Sequence, residues 1–110
     1  GQVLEWAVHP EGSANAIASA DVVIDGIVGI GGTGGLREDA QGAVEAITPG
    51  TRVISVDLPS GLDPDSGDAG APHVTADITV TFTAPKLCLT LDPAKASAGR
   101  VVIVDVGVTL

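Results

Sequence analysis

Asp57 and Ser60 stand on either side of Pro59, just past the run Val53-Ile54-Ser55-Val56. A β-branched run of this kind suits a strand covered on both faces, and Pro59, which has no N–H, stops the ladder soon after Asp57. Chemistry in open α/β sheets gathers beyond such carboxyl ends. The proline can turn a carboxylate and a hydroxyl towards one point; the alternative is an Asx or Ser turn that only shapes the loop. Asp25, near the end of the apolar run 21–28, offers a second carboxylate. Two acids with a hydroxyl and carbonyls form an oxygen-rich pocket suited to a hard cation. The plain alternative for Asp25 is a strand-end acid hydrogen-bonded to loop amides.

Between these acids lies the most biased stretch of the chain, Gly29-Ile30-Gly31-Gly32-Thr33-Gly34-Gly35. Glycines at this density leave backbone amides open to a ligand that side chains would otherwise block. The first six residues fit Gly-x-Gly-x-x-Gly after an expected strand, and Asp57 follows at about the 20-residue spacing of a ribose-binding acid. Equally, the glycines can serve only as a tight turn. Other chemistries find little support. His9 and His73 fall in expected loops and read as surface residues, and with a single cysteine there is no zinc spacing. Cys88 reads as a small buried hydrophobe. Ser60 follows Pro59 and lacks the Gly-x-Ser-x-Gly elbow of a serine hydrolase.

The elements that must hold these residues can be read in order. A strand is expected over 2–8, then a short Ala-rich helix capped by Ser13, with Ala14, Ile17 and Ala18 on its apolar face. The run 21–28 reads as a central strand. Ala40, Ala43, Val44 and Ile47 recur at helical spacing, and Thr48-Pro49-Gly50 stops that helix. After the strand 51–58, residues 64–75 read as a loop over the sheet edge. Ile78, Val80 and Phe82 alternate with threonines in a half-exposed strand, 87–91 is ambiguous between strand and helical turn, and 101–106 is the last strand. Strands alternating with helices imply an α/β fold with a mostly parallel sheet.

A chain of 110 residues is one small domain or part of a larger one. Its formal net charge of −9, with five Lys and Arg, argues against nucleic acid or an anionic membrane as partner. A bound phosphate must then rely on backbone amides. No apolar run approaches a membrane span and no signal peptide is visible, so a cytoplasmic setting is expected.

Three segments, 23–29, Val56-Asp57-Leu58-Pro59-Ser60-Gly61-Leu62-Asp63 and Val80-Thr81-Phe82-Thr83-Ala84-Pro85-Lys86, closely resemble the YjeF N-terminal domain family of NAD(P)H-hydrate epimerases. The resemblance implies a Rossmann-like three-layer α/β/α sandwich that interconverts the R and S forms of hydrated NADH or NADPH, feeding an S-specific dehydratase. It implies a potassium ion held by Asp25 and Ser60. The substrate loop corresponds to Gly29, Ile30, Gly31, Gly32, Thr33, Gly34 and Gly35, and the substrate-contacting acid to Asp57, expected to act as the catalytic acid/base. Residues 1–110 correspond to the C-terminal part of that domain. The partners implied are the missing N-terminal part, a fused dehydratase domain and a second copy in a homo-oligomer. The alternative is a non-catalytic module of the same fold that binds a nucleotide or a protein.

Overall fold

The computed structural model describes residues 3–4, 6, 8–27, 35–105 and 107. Within them four strands, β1 (Val22–Asp25), β2 (Arg52–Val56), β3 (Ile78–Phe82) and β4 (Arg100–Val104), form one sheet in the order β1-β2-β3-β4. Every pair is parallel. Three helices accompany them, α1 (Pro10–Ala18), α2 (Glu38–Glu45) and the short α3 (Ala94–Ala98), with a 3-10 turn at Leu87–Leu89. This is the expected α/β, Rossmann-like arrangement.

Strands added one after another in a single direction, with right-handed connections, send every connection to the same side of the sheet. The packing shows that side. Asp25, Ser55, Thr79 and Val101 stand in one row across the four strands. On this face Val53 packs with Leu36, Val74 and Ala76 and with Ala40, Val44 and Ile47 around α2. Val101 packs against Leu58, Leu62, Cys88, Leu89, Ala94 and Ala98. The opposite face carries Ile24, Ile54, Val56, Val80, Phe82 and Val102, none of them buried. A second helical layer over that face is not among the described residues.

The burial of β3 is the reverse of what its polarity suggests. Thr79 and Thr81 are 0 % exposed, while Phe82 is 38 % exposed on the open face. Thr79 is accommodated because its hydroxyl donates to the Ala98 carbonyl at 2.8 Å, so no polar atom is stranded.

Other elements differ from the sequence reading. Of the strand expected over 2–8, Gln2, Glu5 and Ala7 lie outside the described residues, and Val3, Leu4, Trp6 and Val8 belong to no strand. Trp6 instead rests on α2, where a Cβ on Gly42 would come within 2.8 Å of its ring. Among the described residues β1 pairs with β2 alone, and Ile24 is 69 % exposed. α1 starts at Pro10, whose missing N–H suits the first helical position, so Ser13 lies inside the helix and His9 precedes it. Ala14 and Ile17 are half-buried as expected, but Ala18 is exposed. The loop 57–77 crosses the covered face rather than skirting the edge, burying Leu62, Val74 and Ala76.

Candidate active site

The ends of β1 and β2 place two carboxylates side by side and treat them differently. At the end of β1, Asp25 is opposite Ser55 in register and is only 4 % exposed. Its Oδ2 accepts hydrogen bonds from Ser55 Oγ at 2.7 Å and from the Ser60 amide at 2.8 Å. Its Oδ1 accepts from Ser60 Oγ at 2.6 Å and from the Ile27 amide at 3.3 Å. The four donors take up the capacity of an ionised carboxylate. The loop after β2 is thereby tied to the end of β1, so the sequence-predicted pair Asp25 and Ser60 does come together. An apolar groove of about 220 Å³ adjoins Asp25, bordered by Ile17, Val23, Ile27 and Val44.

Asp57 leaves the strand in a left-handed conformation, φ 77°, as its amide makes a last bond to the Val80 carbonyl at 2.6 Å. Its side chain is 28 % exposed and forms an ion pair with Lys86 through Oδ1. The Thr81 hydroxyl donates to the same oxygen at 3.3 Å, and Lys86 Nζ lies 3.3 Å from Thr81 Oγ1. Lys86 gets there because the chain folds back after β3. Thr83 adopts φ 66° and the Ala84 amide closes a tight turn onto the Phe82 carbonyl at 2.7 Å, with Pro85 beyond. Asp57 and Thr83 are the two non-glycine residues with positive φ among those described. Such conformations cost roughly 1–3 kcal/mol each and gather where a side chain must be aimed.

Of the glycine-rich segment, Gly29, Ile30, Gly31, Gly32, Thr33 and Gly34 lie outside the described residues. Gly35 is described, with φ 79°, and a Cβ there would meet the Pro72 carbonyl oxygen at 2.7 Å. That carbonyl accepts from the Leu36 amide at 2.9 Å, so Gly35 lets the end of the segment press against the loop 57–77.

His73 is not the surface residue its loop position suggests. Its Nδ1 donates to the Ala71 carbonyl at 2.8 Å, and its Nε2 lies 2.8 Å from Ser97 Oγ, joining the loop to α3. His9 is exposed, as expected. Cys88 is fully buried, and burial pushes its thiol above the ordinary range. Among the described residues no three His, Cys, Asp or Glu side chains converge as a metal-binding group.

Sequence reasoning missed Ser55, Thr81 and Lys86. For Ser55 the signal was a single hydroxyl in a β-branched run. Lys86 lies 29 positions from Asp57 and could be joined to it only through the parallel pairing of β2 with β3.

The sequence profile of the family described as YjeF-related protein N-terminus matches residues 3–88. The chain belongs to this family. Family membership agrees with the parallel sheet and with the Val-Asp-Leu-Pro-Ser-Gly segment that builds both carboxylate clusters. The chain is 39 % identical over 99 residues to an NAD(P)H-hydrate epimerase of Pirellula staleyi, covering 89 % of this chain and 44 % of the relative. It is 46 % identical over 109 residues to an NAD(P)H-hydrate epimerase of Clavibacter sepedonicus, covering 91 % and 47 %. A bifunctional NAD(P)H-hydrate repair enzyme Nnr of Hyperthermus butylicus is 44 % identical over 93 residues, 84 % of this chain and 17 % of that protein. The chain thus spans under half the length of these relatives.

Proposed function

We propose that this chain is part of an NAD(P)H-hydrate epimerase domain and carries the carboxylate that moves protons during inversion of the hydrated nicotinamide ring. The observation that carries the reading is Asp57. In a chain of this family, with relatives named as epimerases, it is the carboxylate held beyond the end of β2 with part of its surface open to solvent. Inversion at the hydroxyl-bearing C6 requires a bond to nitrogen or oxygen to break and re-form from the other face. A carboxylate within reach of that hydroxyl can take the proton and return it.

The pyrophosphate of the nucleotide is assigned to the segment from Gly29 to Gly35, held by backbone amides, because a chain with five Lys and Arg has few cations to offer. Asp25 and Ser60 fit a hard monovalent cation in donor chemistry, both being oxygen ligands that already converge. Potassium there would supply fixed positive charge beside the substrate. Ser60 Oγ would hold it through its oxygen lone pairs while the hydroxyl goes on donating to Asp25, and Asp25 would join once one of its four donors is released. The partners proposed are hydrated NADH or NADPH, the remainder of the domain that the longer relatives carry, a second copy and a dehydratase domain. No helix among the described residues is long and apolar enough to cross a membrane, and we place the protein in the cytoplasm.

The test is exchange between the separated R and S hydrates, followed by chromatography in a protein carrying the complete domain, with potassium and with sodium. Catalysed exchange that is faster in potassium is expected. Tight binding of the hydrate without exchange would establish the binding-module alternative instead.

A further inference from the structure

Lys86 is one of five cationic side chains in the chain, and it is brought to the strand end that carries Asp57. The route is an improbable one for a lysine with only a surface role. It needs a left-handed Thr83, a tight turn at Ala84 and a proline before the ammonium can fold back over β3. The ammonium is 29 % exposed and touches both Asp57 Oδ1 and Thr81 Oγ1, so a donor and an acceptor of protons share one partly open site.

We propose that Lys86 is the second proton-handling group of this site, acting as the acid to the base of Asp57. The proposal rests on the epimerase reading above. In the opening direction the C6 hydroxyl gives its proton to the Asp57 carboxylate and the oxygen pair forms the C6=O bond. The C6–N1 bond breaks with its electrons moving to N1, and Lys86 supplies the proton that N1 takes up. After the aldehyde turns its other face, the transfers run in reverse. N1 attacks C6, its proton returns to Lys86, and Asp57 protonates the oxygen. Proton and electron counts close with no further reactant. Thr81, buried beneath the pair, holds the carboxylate oxygen and the ammonium in register. Two groups of opposite charge at one site allow one to be the acid while the other is the base, which a lone carboxylate cannot do within a single step.

Arginine distinguishes proton transfer from charge. A guanidinium keeps the positive charge but does not give up a proton in a protein, whereas an ammonium can. Lys86→Arg, Lys86→Met and Lys86→Gln are therefore made in the protein carrying the complete domain, and kcat and KM for hydrate exchange are measured beside the unsubstituted protein. All three should lose about 10²-fold or more in kcat with little change in KM. Lys86→Cys alkylated with 2-bromoethylamine, which restores a primary amine, should regain turnover; Cys88, being fully buried, is spared. Thermal midpoints identify any variant that fails to fold, and the remaining substitutions then carry the comparison. Full kcat in Lys86→Arg would overturn the inference and leave Lys86 as a fixed charge. A rise in KM alone would also overturn it, making Lys86 a substrate anchor. No exchange in the unsubstituted protein would sink the epimerase reading and this inference with it.

Discussion

Asp25 and Asp57 close neighbouring strands of the same sheet, but one is 4 % exposed and the other 28 %. Asp25 receives four hydrogen bonds, two from backbone amides and two from serine hydroxyls, and faces the covered side. Asp57 is held through Oδ1 by a side-chain ammonium and a hydroxyl, both on β3 or just after it, and its side chain stays partly open. The contrast is between a carboxylate committed to holding the chain together and one kept available. Removing a fully bonded buried acceptor strands its donors, whereas altering a partly open one chiefly changes what it can do to a ligand.

The comparison predicts opposite phenotypes. Asp57→Asn should lower kcat for hydrate exchange by roughly 10²–10⁴-fold, the range that a positioned proton carrier supplies. Its thermal midpoint should barely move, because Asn tolerates the left-handed backbone at this position as well as Asp does. Near-normal turnover would remove Asp57 from the chemistry. Next in size, Asp25→Ala leaves the Ser55 hydroxyl, the Ser60 hydroxyl and the Ser60 amide without their shared acceptor. Losing an acceptor that serves three donors should cost about 1–3 kcal/mol or more in urea unfolding. A fold that stands unchanged without Asp25 would erase the contrast.

Ser55→Ala removes one of the four donors to Asp25 and should cost about 1 kcal/mol by the same measurement. A cost equal to that of Asp25→Ala would mean that the serine, not the carboxylate, organises the cluster. The smallest effect belongs to Cys88. Its thiol is raised by burial, so the neutral form is favoured in the folded chain. The associated stability is complete below the unfolded thiol's value of about 8.5 and falls as pH rises through the folded value. A thiol reagent at pH 8 should therefore label Cys88 only on unfolding; fast labelling of the folded protein would show that the core around it opens.

Much of the site was legible because strand ends announce themselves. The run Val53 to Val56, the proline at 59 and the acid between them are enough to place Asp57, and the apolar stretch before Asp25 does the same for its partner. Ala40, Val44 and Ile47 named the face of α2 correctly. What could not be read was sidedness. Along β3 both rows, Ile78-Val80-Phe82 and Thr79-Thr81, are compatible with a half-buried strand, and only the common direction of the connections decides that the threonines go inside. α3 spans five residues, too few for a helical period to show. Lys86 was visible only as the end of a strand-breaking Ala-Pro-Lys, since its partner is remote in sequence and depends on the register of β2 against β3.

The clamp on Asp25 also sets an order of events. Its donors Ser55 and Ser60 lie 30 and 35 positions further along the chain, so the end of β1 has no completed cluster until β2 and the turn beyond it have been made. Locking that end therefore closes a long loop, and the entropy this costs is offset only when the last residues of the turn arrive.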